Sequence, residues 1–333
     1  MTEQFADLVL EGGGVKGIAL VGAYSVIEER GYTVRRVAGT SAGAIVGALL
    51  AAGLSAAELE AEMRSLDYAE FQDGGPLDHV PFVGRPLALL LEQGVYGGRF
   101  AHKWVSERLA EHGCRSFADL PYDDPDFPVD DDRRFRLVVM ASDISQGRLR
   151  RLPWDYPRYG RPPGDQLVAD AVRASMSIPF FFEPVRLRDD TTRRTSTIVD
   201  GGMLSNFPVD VFDAPPTREP RWPTFGVKLS ARAKSLEGTI SDVHGTVSMT
   251  VAMIRTMTAF HDRLHIDEPS VQDRTIFVDT GTVQATDFHL GKAARDLLFE
   301  NGRAAAEKFF DGGDGRPGWD WDSYKEKYRQ PTA

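Results

Sequence analysis

The chain opens on an apolar run, Leu8-Val9-Leu10, that ends abruptly at Glu11-Gly12-Gly13-Gly14, the pattern of a buried parallel strand running into a loop. From Lys16 to Arg30, Leu20, Tyr24 and Ile27 recur at helical spacing and Gly31 closes the segment. Val34 to Ala38 reads as a second strand, Gly39 to Gly43 as a sharp turn, and Ala42 to Leu50 as a helix of small and apolar residues. The first 53 residues therefore predict a βαβα unit. Further core strands are predicted at Phe135–Met140, Thr197–Val199, Thr224–Val227 and Thr275–Val278. Strands separated by helical segments point to an α/β layered sheet. The stretches 72–98, 122–134, 189–197 and 213–222 are rich in Gly, Pro and Asp and read as loops, whereas Val243 to His265 is helical in pattern, with Met249, Met253 and Met257 four apart.

Length and composition narrow this picture. The 333 residues fit one large α/β domain over 1–310, with insertions at about 66–134 and 210–270 and a docked or frayed tail over 311–333. A formal charge of −10 disfavours nucleic acid as a partner and removes any global pull toward anionic membranes. The single cysteine, Cys114, cannot form an internal disulfide, and no Cys/His cluster has zinc spacing. Asp123, Asp124, Asp126, Asp130, Asp131 and Asp132 lack EF-hand spacing and read as a solvated acidic loop, so no metal is expected. Glu3 and Asp7 precede the first strand where a signal peptide would be basic and then apolar, and the Ala42–Ala52 stretch is too short to span a bilayer. A cytoplasmic protein is expected, with at most peripheral contact at the inner membrane surface.

Gly12, Gly14 and Gly17 satisfy GxGxxG between a strand and a helix, which raises a dinucleotide site as an alternative. That reading wants an acid at the end of the second strand; Val34-Arg35-Arg36-Val37-Ala38 ends instead in Gly-Thr-Ser-Ala-Gly, leaving only the two arginines for a phosphorylated cofactor. A phosphate-binding P-loop fails because Ile18 and Ala19 follow Gly17. The other reading is an oxyanion hole: Gly12, Gly13 and Gly14 let backbone N–H groups point at developing negative charge without side-chain obstruction. Lys16 either braces this loop or is solvated.

Gly39-Thr40-Ser41-Ala42-Gly43 is a GxSxG turn between a strand and a small-residue helix, the context in which the serine hydroxyl stands exposed above a sheet. Only 24 residues separate Gly17 from Ser41, enough for one crossover helix and one strand, so both motifs belong to a single right-handed βαβ unit and emerge at the same carboxyl edge. Ser41 needs a base. None of His79, His102, His112, His244, His261, His265 and His289 sits in a catalytic turn, whereas Asp200 ends the predicted strand Thr197–Val199 before Gly201 and Gly202.

Together these motifs resemble the patatin-like phospholipase family. Gly12-Gly13-Gly14-Val15-Lys16-Gly17 looks like its oxyanion loop, Gly39-Thr40-Ser41-Ala42-Gly43 like its nucleophile elbow, and Asp200-Gly201-Gly202 like its aspartate motif. Ala174-Ser175-Met176-Ser177-Ile178-Pro179-Phe180-Phe181-Phe182 is similar to its Ala-Ser-x-x-x-Pro-x-x-Phe stretch. The departures are Glu11 where plant members often have Asp and Gly202 where many have Ala. The resemblance covers about Leu8 to Pro208. It implies a three-layer α/β/α fold with a mainly parallel sheet, and a metal- and cofactor-independent Ser41–Asp200 dyad that cleaves acyl esters of phospholipids or related lipids. The 72–98 insertion leaves room for a lid, and so for an alternative in which the hydrolase is silent until an activator opens its loops; the sequence says nothing of oligomeric state.

Apolar candidates for an acyl trough are Pro179–Phe182, the Pro86–Leu91 run and the methionine stripe, each of which also reads as core. Arg148, Arg150, Arg151, Arg158 and Arg161 form the densest basic cluster, read as a solvated face.

Overall fold

The computed structural model describes residues 4–73, 94–124, 129–215, 218–230, 256, 266–313 and 315–329. Its strands are β1 (Gln4–Leu10), β2 (Tyr32–Gly39), β3 (Gly94–Tyr96), β4 (Leu137–Asp143), β5 (Arg148–Leu152), β6 (Phe180–Phe182), β7 (Val185–Arg188), β8 (Thr195–Asp200), β9 (Thr224–Lys228) and β10 (Thr275–Phe277). Eight of them form one sheet in the order β10-β9-β1-β2-β4-β8-β7, with β5 paired to β4; β3 and β6 form a separate parallel pair. β10, β9, β1, β2 and β4 run parallel, while β5, β8 and β7 add antiparallel neighbours. The α/β class and the mainly parallel central sheet expected from the sequence are both present. Leu10 is in register with Gly39, so the loops after β1 and β2 leave the sheet side by side.

The helices are α1 (Gly17–Glu29), α2 (Ala42–Ala51), α3 (Ala56–Ser65), α4 (Arg99–Glu111), α5 (Val168–Ser175), α6 (Pro269–Gln272), α7 (Lys292–Asp311) and α8 (Trp321–Tyr328). All ten residues of α2 are buried, which is why it carries no polar stripe and is built from Ala, Gly, Ile, Val and Leu. α1 is buried from Gly17 to Ile27 between the sheet and α7. Removing any of Ile18, Leu20 or Ile27 to Ala would cost about 2–5 kcal/mol. α3 starts at a capping box in which Ser55 and Glu58 satisfy each other's orphan amides. The opposite face of the sheet is covered by Phe207 and Val209, which approach Gly226, and by Phe212 edge-on to Trp154.

β4 runs to Asp143, three residues past the predicted end, because its polar residues are satisfied inside: Ser142 donates to Gly201 O, and Asp143 accepts from Tyr159 Oη at 2.6 Å. Arg148–Leu152, read as part of a solvated basic face, is instead strand β5, with Arg150 buried and donating from Nε to Tyr159 Oη. Arg151 and Arg158 remain outside, organised around Asp155. Beyond Asp311 the chain docks: Trp319 stacks on Phe309, and Tyr324 Oη of α8 donates to Ser270 O at 3.0 Å. The Pro86–Leu91 run, the methionine stripe, and His79, His244, His261 and His265 lie outside the described residues.

Candidate active site

Ser41 stands between β2 and α2 with φ 52° and ψ −118°, a conformation that costs a non-glycine residue about 1–3 kcal/mol. Its neighbours hold it there. The Ser41 carbonyl accepts from Ala44 and Ile45, and the Ser41 N–H donates to Ser175 Oγ at 2.9 Å. The flanking glycines are a matter of space: a Cβ on Gly43 would lie 2.4 Å from Leu10 O, and one on Gly39 2.1 Å from Gly43 O. The turn therefore nests against the end of β1, and the N-terminus of α2 directs its positive dipole end at Ser41. The Ala42 N–H, first of that helix, donates to no group among the described residues.

The loop after β1 lies directly over this turn. A Cβ built on Gly12 would be 3.2 Å from Ser41 Cβ, and Gly14 has φ +56°. The three glycine amides are not equivalent. Gly12 N–H donates to Asn206 O at 3.3 Å, and Asn206 Nδ2 returns a bond to Gly12 O at 2.9 Å. Gly13 and Gly14 N–H donate to nothing among the described residues, while Val15 N–H donates to Ala285 O. Among the described residues the uncommitted donors of the glycine loop and the serine turn are thus Gly13, Gly14 and Ala42, and no sequence pattern sets Gly13 and Gly14 apart from Gly12.

Lys16 braces the loop: its Nζ donates to Leu229 O and Thr280 Oγ1, both at 3.4 Å, and burial lowers its pKa. Glu11 is buried and anchored by Lys228 Nζ and the Leu229 N–H at the end of β9. Gly17 opens α1, its missing side chain making room for Met63 and Ala42.

Asp200 ends β8 opposite Ala141. Its Oδ1 accepts the Gly202 N–H at 2.7 Å, and Gly201 begins a short 3-10 turn. Oδ2 is buried and unpartnered. Burial pushes the carboxyl up to about 7, against the lowering influence of the Gly202 N–H and of the nearby Ser41 hydroxyl. Ser41 and Asp200, each 6% exposed, are therefore brought together from positions 159 residues apart. Their hydroxyl and carboxyl are neighbours without a closed hydrogen bond. Among the described histidines, His102 pairs with Asp170 and none bonds to Ser41 or Asp200.

One segment positions both residues. Ser175 accepts the Ser41 N–H, and two residues later the Ser177 carbonyl accepts the Asp200 N–H at 2.9 Å. Arg173 Nη1 in turn donates to Ser177 Oγ at 2.6 Å. The sequence displayed this stretch as a motif without assigning its serines a task; Asn206 had no local signal at all. In the dinucleotide alternative Arg36 would have met a phosphate, but it faces Asp7, its register partner across β1 and β2, and donates to it from Nε at 3.0 Å. Among the described residues, no helix is long and apolar enough to cross a membrane.

A profile of the family described as patatin-like phospholipase matches residues 8–213. The chain is 38% identical over 309 residues to YqhO of Bacillus subtilis (strain 168), an uncharacterized protein, covering 92% of this chain and 98% of YqhO. It is 31% identical over 208 residues to MT2641 of Mycobacterium tuberculosis (strain CDC 1551 / Oshkosh), an uncharacterized protein of the NTE family, covering 62% of this chain but only 28% of that longer protein. Among solved structures, VipD from Legionella pneumophila superposes with a TM-score of 0.53 at 18% identity, over 92% of this chain and 66% of VipD, a likeness of fold. With its glycine loop, serine turn and strand-end aspartate all inside the matched region, the chain belongs to the patatin-like phospholipase family.

Proposed function

We propose that this protein is a lipid acyl hydrolase, of phospholipase A or lysophospholipase type, in which Ser41 is the nucleophile and Asp200 its base. The observation that carries this reading is the pairing of a strained serine with a buried carboxyl whose free oxygen, Oδ2, has no other partner, beside unengaged amides. Ser41 Oγ attacks the ester carbonyl carbon as its proton passes to Asp200 Oδ2. The charge that develops on the carbonyl oxygen is met by the N–H groups of Gly13, Gly14 and Ala42, with Gly12 serving as the point of close approach. Collapse of this intermediate breaks the ester C–O bond, and the leaving alcohol takes the proton from Asp200. Water then gives a proton to Asp200, attacks the acyl-Ser41 carbonyl and releases the fatty acid, restoring the Ser41 hydroxyl with that proton.

A carboxyl near pKa 7 suits both halves of this cycle, since it accepts and returns a proton close to neutral pH. The Ser41–Asp200 hydrogen bond closes as substrate displaces solvent, as catalytic hydrogen bonds commonly tighten on binding. Access to acyl lipids calls for transient contact of the protein with a membrane surface. Mass spectrometry of the products from a mixed phospholipid and lysophospholipid panel tests the reading: the wild type releases fatty acid and a fluorophosphonate probe labels Ser41. Absence of both, in folded protein, would sink it. Loss of activity on replacing one histidine, with activity kept in Asp200→Asn, would replace the dyad by a triad.

A further inference from the structure

A cavity of about 260 Å³ lies between α5 and the β5–β4–β8–β7 end of the sheet. Its floor is apolar, made by Ala141, Leu152, Val185, Leu187 and Ile198. Its wall is basic: Arg150, Arg161 and Arg173 line it against one acid, Asp170, which is already engaged with His102 at 2.7 Å. Arg150 and Arg161 have acids behind them, Asp143 at 3.8 Å and Asp190 at 3.6 Å, outside the lining.

Arg173 differs. It is 9% exposed, and its guanidinium donates only to neutral oxygens, Ser177 Oγ, Gly97 O and Glu183 O, with no carboxylate within 4 Å among the described residues. Asp73 and Glu183 act on its charge from farther away. A buried cation without a close counter-charge is unfavourable unless an anion completes it. Arginine is also the side chain suited to planar recognition of carboxylate and phosphate.

We propose that this cavity binds a single-chain anionic amphiphile, its carboxylate or phosphate head against Arg161 and Arg173 and its chain along the apolar floor. The volume, near the lower end of small-molecule sites, suits a short chain. The site is separate from the Ser41 centre. At 100° per residue Asp170, Arg173 and Ala174 share one face of α5, and Ser175 points well away from it, toward the Ser41 amide. The two sites are nonetheless joined mechanically. α5 ends in the Ser175 hydroxyl that holds Ser41, and the following turn carries the Ser177 carbonyl that holds Asp200. Occupancy of the cavity is therefore transmitted to both residues; this coupling, unlike the binding, rests on the proposed Ser41–Asp200 chemistry.

Calorimetric titration of the Ser41→Ala protein with decanoate, decyl phosphate and decanol, each below its aggregation limit, tests the binding. One anionic probe, or both, is expected to bind saturably at one per chain, with decanol at least tenfold weaker; a tenfold preference between the first two identifies the head group. Arg161→Gln alters a partly exposed side chain and is expected to weaken binding at least tenfold, and Val185→Trp, which fills the floor and leaves every charge, to abolish it. Both variants are checked for parental circular dichroism. Failure of both anions to bind, or binding indifferent to both substitutions, overturns the site. In the wild-type enzyme the bound anion changes kcat for ester hydrolysis, and Arg161→Gln removes the change; binding with constant kcat overturns the coupling alone. Because the titration uses a protein without the nucleophile, an absence of hydrolase activity would leave its result intact.

Discussion

Ser175 Oγ accepts the backbone N–H of Ser41 at 2.9 Å, so the residue with the most strained backbone at the site is held by a fully buried hydroxyl 134 residues away. Ser175→Ala leaves that N–H orphaned, a loss of about 1–3 kcal/mol. Because the constraint acts on the position of Ser41, kcat is expected to fall about 10- to 100-fold with KM nearly unchanged, whereas a merely structural loss would lower the amount of folded enzyme. Steady-state kinetics normalised to the burst of fluorophosphonate labelling separates the two.

The raised pKa of Asp200 predicts a pH profile. In its proposed role as base the carboxyl must be ionised, so kcat/KM is expected to rise with pH through about 7 and this limb to vanish with the activity in Asp200→Asn. The sign for stability is opposite. A carboxyl whose folded pKa lies above its unfolded value binds more protons when folded, so its contribution favours the fold at low pH and is lost as pH rises from about 4 to 7. Asp200→Asn is thus expected to be more stable than wild type at pH 8, by at most on the order of 4 kcal/mol, and nearly equal to it at pH 4. Denaturant midpoints at the two pH values provide the measurement; a variant destabilised at pH 8 contradicts the desolvated carboxyl.

Gly14 combines φ +56° with a neighbour, Ala285 O, that a Cβ would approach to 1.9 Å. Gly14→Ala must shift the loop and misdirect the Gly13 and Gly14 amides. If these amides form the proposed oxyanion hole, kcat is expected to fall by about 10²- to 10³-fold, the usual effect of losing one donor. Asn206→Ala, which removes the side-chain bond to Gly12 O and keeps the backbone one, is expected to give a smaller loss in the same direction. Single-turnover acylation with an activated ester reads both.

Far from the catalytic edge, Asp7 and Arg36 form a buried pair along the β1–β2 register, with Arg36 over the Phe212 ring. Arg36→Met strands a buried carboxylate and is expected to cost about 3–5 kcal/mol. The double variant Asp7→Leu/Arg36→Met removes both charges and recovers most of that loss. Urea unfolding of the set gives the coupling; equal destabilisation of the single and double variants would show that the pair contributes packing rather than charge.

Much of this arrangement is legible from residues near one another in the chain. Glycine spacing, the apolar runs of β1 and β2 and the small residues of α2 all record local constraints, and they predict the βαβα unit and its shared carboxyl edge. Legibility fails where polar residues enter the sheet. Asp143 and Arg150 look like surface residues until Tyr159 is seen to bond to both, and so β5 is absent from the predicted strands.

By itself the sequence determined which residues are able to take part: Ser41 in a turn that only glycines permit, three glycines before α1, and an aspartate ending a strand. Tertiary structure alone decided what each of them has left to offer. Gly12 loses its N–H to Asn206, Gly13 and Gly14 keep theirs, Lys16 turns from solvent to Leu229 and Thr280, and Asp200 moves from an ordinary acid to one near pKa 7. The physical reason is the same in each case. Backbone conformation is limited by adjacent residues, whereas the partner of an amide and the desolvation of a carboxyl depend on groups that only the closed sheet brings within a few ångströms.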